Sequence, residues 1–376
     1  MESGCWARAS SGRCHSLAFS TVHIARISPS VDAKLVALVD NDHALAEEVR
    51  QRYRWESVAP DWHTIVADPK VDLFINSGPN DAHAEPTIAA ARNGKAVFSE
   101  KPLGRTAGEA YAIWEGVEKA GVRHMCAYVH RFVPALRLFR DMVAAGELGR
   151  IRHFRSNFLL DMQHPDGHLS WRYSLGAAGG GATGDLGSHH IDQARFLLDT
   201  EVRRVFAMSK SWSKDSKGAV TDVNDDWFMA GADLDNGATA NFECSRVTEG
   251  HALTGRIEAD GTKGTLRWDM ERVSELTLTE PRKGSRLIKA VLPEHPYSDF
   301  WLPVGIQGAF AVGWRDAFCH QAHHMLAAMD QDQPIGPIGA TFEDGYKVAE
   351  IVDTILRSAE SGRAEDVAFR PAPARG

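Results

Sequence analysis

The stretch Ser99-Glu100-Lys101-Pro102-Leu103-Gly104 decides how the chain is read. Ahead of it, Lys95-Ala96-Val97-Phe98 is a short apolar run of the kind that forms a buried parallel strand, and a long helical pattern opens at Thr106. Pro102 keeps Lys101 out of helical geometry. The lysine is thereby fixed at the carboxyl end of a strand, the edge at which open α/β sheets bind ligands. Taken alone, the stretch reads more simply as a salt-bridged lysine in a strand-to-helix loop, so the decision falls to its surroundings.

Working outward, the same grammar repeats. Lys34-Leu35-Val36-Ala37-Leu38-Val39 is an apolar run ending in Asp40, followed by a helical pattern over about residues 43–53 with Ala44, Leu45 and Val49 on one face. Val71-Asp72-Leu73-Phe74-Ile75-Asn76 ends in Gly78-Pro79-Asn80, followed by a helix over about 83–93 that Gly94 closes. After Lys101 come a helix to about Ala120, ended by Gly121, and a strand over 122–128. Strands joined by crossover helices predict a doubly wound parallel sheet of the dinucleotide-binding kind, here assigned to residues 1–125. Beyond a helix at about 134–145 the pattern changes to strands at 151–161 and 202–212, a hairpin at Asp235-Asn236-Gly237 and another near Asp260-Gly261. The glycine-rich Gly176-Ala177-Ala178-Gly179-Gly180-Gly181 leads into a helical pattern over 185–198, and helices at about 317–329 and 342–361 close the chain. Residues 126–376 are therefore read as an α+β domain with an open, largely antiparallel sheet and helices on one face.

The whole chain bounds the partners. Its 376 residues suit two domains, and a net charge of −8 without a basic block argues against nucleic acid, leaving small molecules as the expected ligands. Cys5, Cys14, Cys126, Cys244 and Cys319 are odd in number and scattered without a C-x-x-C pair, so reduced thiols are expected. No run is long enough to span a membrane and no secretory leader is evident, which predicts a cytoplasmic protein without membrane contact.

Asp185-Leu186-Gly187-Ser188-His189-His190-Ile191-Asp192 is the second chemically suggestive stretch. On a helix Asp185 and His189 share a face, and a carboxylate beside a histidine orients the ring and stabilises its cation, which suits proton transfer near neutral pH. A capping aspartate with a surface histidine is the plainer reading. His164, His168, His189 and His190 with Asp185 or Asp192 raise a zinc-type site. Adjacent His189 and His190 point about 100° apart on a helix, however, and no metal is expected. Asp40 ends the second strand, where an acidic side chain holds the adenosine ribose and disfavours a 2′-phosphate, so NAD is preferred over NADP; a turn aspartate capping the next helix is the alternative, a task open to Asp42 as well. Gly78-Pro79-Asn80 and His83 end the next strand at the same edge.

Together these residues resemble the glucose-fructose oxidoreductase, inositol dehydrogenase and MocA family. The likeness is carried by Pro79-Asn80 with His83, Glu100-Lys101-Pro102, Arg131-Phe132 with Pro134, Trp171-Arg172, and Gly179-Gly180-Gly181 running into Asp185, His189, Ile191 and Asp192. Within the family, Trp171-Arg172, His295-Pro296-Tyr297 and Thr341-Phe342-Glu343-Asp344-Gly345 look most like the levoglucosan dehydrogenase branch. The resemblance implies an NAD(P)-dependent dehydrogenase of a cyclic sugar or polyol, pairing as a homodimer or homotetramer through its open sheet. It implies Lys101, Asp185 and His189 as catalytic residues, with His189 taking the hydroxyl proton and Lys101 on the reacting oxygen. It further implies Gly12, Asp40, Pro79, Asn80, His83, Glu100, Lys101, Trp171 and Arg172 at the cofactor. Substrate contacts are expected from Tyr128, Arg131 and Asp161 beside the catalytic three.

The amino terminus departs from the family pattern of a Val- and Ile-rich strand feeding G-x-G-x-x-G. Counting back from Gly12 as the third glycine, the first two positions hold Ala7 and Ala9, and residues 1–11 contain no Val, Ile or Leu. A methyl group at the second position crowds the approach to a pyrophosphate, and a central first strand of this composition is expected to be defective. Three accounts stay open: a mis-assigned start or reading frame, which is favoured; a non-catalytic sugar- or nucleotide-binding paralogue that has lost the cofactor loop; or an unusual phosphate loop over residues 7–11.

Overall fold

A computed structural model describes residues 2–7, 9–24, 31–162, 170–213, 223–290 and 313–374. The first domain runs β1 (Glu2–Ala7), α1 (Ala9–Thr21), β2 (Lys34–Val39), α2 (His43–Tyr53), β3 (Ser57–Val58), α3 (Trp62–Ala67), β4 (Leu73–Ser77), α4 (Ala84–Arg92), β5 (Ala96–Ser99), α5 (Ala107–Ala120) and β6 (His124–Cys126). Its sheet has the order β3-β2-β1-β4-β5-β6, with every pairing parallel. All residues of β4 and β5 are buried, as helices on both faces require of a parallel sheet. Three of its helices, α2, α3 and α5, start where short polar side chains take up orphan amides: Asp42 accepts from Leu45 N, Asp61 from Thr64 N and Thr106 from Glu109 N. Gly121, at φ 63°, ends α5 in the left-handed conformation that glycine adopts without penalty.

The first strand corrects the sequence expectation. Glu2–Ala7 forms β1 at the centre of the sheet, hydrogen-bonded in parallel to β2 on one side and β4 on the other. A ladder on both flanks is made by backbone groups whatever the side chains, and this pairing outweighs the weak strand propensity of the segment. Its irregularity is a register shift against β2 between Ser3 and Gly4.

The second domain comprises α6 (Pro134–Ala144), β7 (Ile151–Leu159), α7 (Leu175–Ala178), α8 (Ser188–Leu198), β8 (Val202–Lys210), β9 (Trp227–Leu234), β10 (Thr239–Ser245), β11 (Thr254–Gly261), β12 (Thr265–Asp269), β13 (Glu275–Glu280), β14 (Gly284–Lys289), α9 (Trp314–Asp330), α10 (Phe342–Ser361) and β15 (Glu365–Asp366). Its sheet order is β14-β13-β12-β11-β7-β10-β9-β8-β15. The pairings are antiparallel except β7 with β10, which run parallel at the middle, so the sheet is mixed. Residues alternate between buried and exposed along β9, because helices cover one face and leave the other open.

The last two helices return to the first domain. α9 packs on α1 and α10 on α5. Tyr346 of α10 stacks on Trp114 with centroids 5.6 Å apart and meets Tyr111 edge-on, while Asp353 accepts a hydrogen bond from Ala107 N at 2.8 Å. Among the described residues no helix is long and apolar enough to cross a membrane.

Candidate active site

Lys101 follows β5 at the carboxyl edge of the first sheet and reaches across to the second domain. Its Nζ donates to Asp185 Oδ1 at 2.6 Å and to the Asp185 carbonyl at 3.0 Å. Glu100 braces the lysine from behind: Oε2 accepts from Lys101 N, and Oε1 lies 2.8 Å from Nε2 of the buried His15 on α1. Burial alone would raise the Glu100 carboxyl, but the His15 hydrogen bond and the Lys101 charge outweigh it and hold it below the usual carboxylate range.

Asp185 sits in a π turn, Thr183–Gly187, immediately before α8. This changes the expected partnership. In a regular helix Asp185 would face His189, yet its carboxylate turns to Lys101, with Arg172 Nε 3.9 Å from the other oxygen. Burial pushes this carboxyl up, and the two cations more than reverse the push, so it is ionised at neutral pH. His189 lies alongside, 8% exposed, its ring parallel to that of His130 at 4.4 Å. Burial first, then Lys101, His130 and His190, hold its pKa well below the ordinary imidazole value, and the ring is neutral at pH 7.

The loop carrying Asp185 is set from beneath by Asn224-Asp225-Asp226. Asp225 accepts from Gly181 N and Thr183 N at 2.7 Å and from Thr183 Oγ1 at 2.8 Å. Asn224 Nδ2 donates to the carbonyls of Arg172 and Gly179. Arg246, 1% exposed, bonds Asp226, Asn224 and the Arg172 carbonyl. Gly181 is required here, since a Cβ on it would stand 1.9 Å from the Asp225 carbonyl oxygen. Asn224, Asp225, Asp226 and Arg246 were not singled out from the sequence. Their signal was a run of three polar side chains just before a strand.

A cavity of about 330 Å³ opens over this arrangement. Of the residues expected at the cofactor, Pro79, Asn80, Glu100, Lys101, Trp171 and Arg172 line it, as do the catalytic candidates Asp185 and His189. Asn80 also ties the two domains, donating to the Ala178 carbonyl at 2.8 Å. Gly12 is buried within α1, and Asp40 stands at the end of β2, where its Oδ1 accepts from Asp42 N. Asp42, rather than Asp40, caps α2. His83 is corrected to an internal brace, its ring nitrogens 2.9 Å from the Pro102 carbonyl and 3.1 Å from that of Gly78.

The other substrate expectations also change. Arg131 is buried in a bidentate pair with Asp192, at 2.8 and 2.5 Å, and also faces Asp344; its donors are engaged inside the protein. Tyr128 is buried with its ring edge-on to His189 and does not line the cavity. Asp161 is exposed beyond β7, in a backbone bridge with Val247, and does not line the cavity. In their place the structure brings His130, Phe158, Leu253, Met270, Trp314 and Phe318 to the wall. Among the described residues no three His, Cys, Asp or Glu side chains gather as metal ligands; His164, His168 and His295-Pro296-Tyr297 lie outside those residues.

A doubly wound parallel sheet whose strand ends open onto a cavity beside a second domain is the architecture that binds dinucleotides. Residues 17–128 match the model of an oxidoreductase family with an NAD-binding Rossmann fold, and residues 136–267 match that of the GFO/IDH/MocA C-terminal domain. The levoglucosan dehydrogenase of Pseudarthrobacter phenanthrenivorans is 32% identical over 381 residues, covering 95% of both chains. The scyllo-inositol 2-dehydrogenase (NAD(+)) of Bacillus subtilis is 30% identical over 254 residues, 67% of this chain and 71% of that one. A solved levoglucosan dehydrogenase in complex with NADH and levoglucosan superposes with a TM-score of 0.91 at 32% identity, covering 98% of this chain and 100% of that chain. The chain belongs to the GFO/IDH/MocA family of NAD-dependent oxidoreductases.

The residues present fit that cofactor. Asp40 follows β2, the neighbour of β1 in the sheet, where an acidic side chain can hold an adenosine ribose. Ser77 to Asn80 and Glu100 line the cavity that leads to Lys101.

Proposed function

We propose that this oxidoreductase acts on a secondary hydroxyl of a cyclic sugar or polyol of the levoglucosan or inositol kind. The observation that carries the reading is the Lys101 ammonium held at 2.6 Å by the Asp185 carboxylate on a cavity wall shared with neutral His189. Asp40, Pro79, Asn80 and Glu100, together with the α1 amino terminus, would hold NAD, which would supply the hydride acceptor. Lys101 donates a hydrogen bond to the reacting oxygen and favours the negative charge that develops there. His189 accepts the hydroxyl proton; a neutral imidazole is the form that can do so. Asp185 keeps Lys101 aimed through its carboxylate and carbonyl oxygens. Phe158, Leu253, Met270 and Trp314 keep water from the ring faces of the substrate. The names of the relatives support the substrate class, since levoglucosan, scyllo-inositol and myo-inositol dehydrogenases are among them.

His189→Ala is expected to abolish reduction of NAD by levoglucosan and inositols, and Lys101→Met to lower it strongly while leaving a measurable rate, with NAD still quenching tryptophan fluorescence as in the wild type in both. Wild-type turnover in His189→Ala would remove the assignment. NAD saturation without reduction by any cyclic sugar or polyol in the wild type would favour a binding protein instead. The chain is further proposed to pair through its open sheet, where Phe206, Met208 and Met229 are exposed and Met208 faces Met229 across β8 and β9. Light scattering of Phe206→Glu/Met229→Glu is expected to show a smaller particle than the wild type.

A further inference from the structure

With Asp185 committed to Lys101, His189 lacks the carboxylate that would orient it, and its Nδ1 is buried without a hydrogen-bond partner among the described residues. A ring on two rotatable bonds needs some other constraint. His130 supplies a flat one, parallel to within 10° at a centroid distance of 4.4 Å. His130 is 1% exposed and backed edge-on by Trp314 at 4.9 Å, while Tyr128 and Phe158 meet the His189 ring at 6.0 and 6.3 Å. The turn that bears His130, Val129–Phe132, is anchored to α8 by the buried Arg131–Asp192 pair, so both imidazoles ride on one rigid frame.

We propose that His130 is a positioning residue for His189: face-to-face stacking, in place of a hydrogen bond to a carboxylate, fixes the plane of the imidazole that takes the substrate proton. The proposal rests on the reading of His189 as proton acceptor. The titratable groups that meet the stack by charge or ring contact are Lys101 beyond β5, His190 on α8 and Tyr128 ahead of the 129–132 turn. Burial and the nearby Lys101 and histidines keep both rings neutral, and neutral rings can lie face to face without repulsion.

The test separates ring face from ring nitrogen. His130→Leu removes the aromatic face and His130→Phe restores it without a nitrogen. His130→Leu is expected to lower kcat about tenfold, the scale of a lost aromatic pair, with the KM for NAD changed less than about twofold. His130→Phe should recover most of that loss. A second readout is independent of turnover: in 13C-histidine NMR, the His189 signal, assigned by its disappearance in His189→Ala, should resist protonation until well below pH 6.5 in the wild type and His130→Phe. In His130→Leu its titration should move up toward the ordinary value as water reaches the loosened ring. Should His130→Leu not fold, His130→Met serves as the non-aromatic replacement. An unchanged titration and kcat in the non-aromatic variant, or equal impairment in His130→Phe, would overturn the proposal. Normal turnover in His189→Ala would instead remove the base assignment, while the titration would still decide whether the rings constrain each other.

Discussion

Replacing Asp185 by asparagine removes one charge and almost no volume. Asp185 lies 2.6 Å from Lys101 and 3.9 Å from Arg172, so the substitution leaves two cations facing a cavity with their shared anion gone. At an effective dielectric near 20 a unit pair at about 4 Å interacts by about 4 kcal/mol, before desolvation is subtracted. Side-chain exposures of 15% for Lys101 and 23% for Asp185 admit some water, which brings the net value toward the roughly 1.5–3 kcal/mol of a charged hydrogen bond. Asparagine keeps an acceptor oxygen, so the lower part of that range applies, and kcat should fall by about 10- to 50-fold. Steady-state reduction of NAD by levoglucosan or an inositol gives kcat, and tryptophan quenching gives NAD affinity, which should hold within about twofold. Because the two groups work as a unit, Asp185→Asn combined with Lys101→Met should lose little beyond Lys101→Met alone. Wild-type kcat in Asp185→Asn, or fully multiplicative losses in the double variant, would refute the reasoning.

Asp40→Ser should narrow the preference for NAD over NADP by about tenfold or more, read as the ratio of kcat/KM values, because the charge that opposes a 2′-phosphate is removed. His190 is buried with both ring nitrogens unpartnered among the described residues, and burial depresses its pKa to about 3. The unfolded chain therefore takes up the proton first: the stability His190 contributes is intact above about pH 6.5 and declines as pH falls toward 3, by about 1.4 kcal/mol per unit. Urea denaturation between pH 7 and 5 should show that slope lessened in His190→Phe; equal slopes would contradict it. Gly181→Ala forces a Cβ against the Asp225 carbonyl and should cost about 2 kcal/mol or more along with activity, whereas Gly184→Ala, whose Cβ meets nothing within 4 Å, should remain far closer to the wild type in thermal unfolding.

Lys101 was legible because its geometry is local: a strand, a turn and a proline place it at the sheet edge before any tertiary contact is considered. Asp185 and His189 were legible as residues but not as partners. Their spacing was read with a period of 3.6, and the π turn at Thr183–Gly187 breaks that period where it matters. His130 carried no spacing signal, since its task arises from a ring on another element lying flat against it. The weak strand propensity of Glu2–Ala7 misled because a central strand is held by backbone ladders on both sides. Arg131 was misplaced for the opposite reason: a charged residue in a recognisable motif suggests a ligand, and only the fold shows that Asp192 and Asp344 already occupy it.

The return of α10 across α5 bears on dissection of the protein. A fragment ending near residue 127 would contain every strand of the first sheet but expose Trp114 and Tyr111, which Tyr346 otherwise covers, and would leave Ala107 N without Asp353. Such a fragment should be sticky and poorly soluble. Supplying residues 314–361 in trans, as a separate peptide, should restore it. The unit that folds as a nucleotide-binding module is therefore discontinuous in sequence, and chimaeras that exchange it between relatives need two crossover points rather than one.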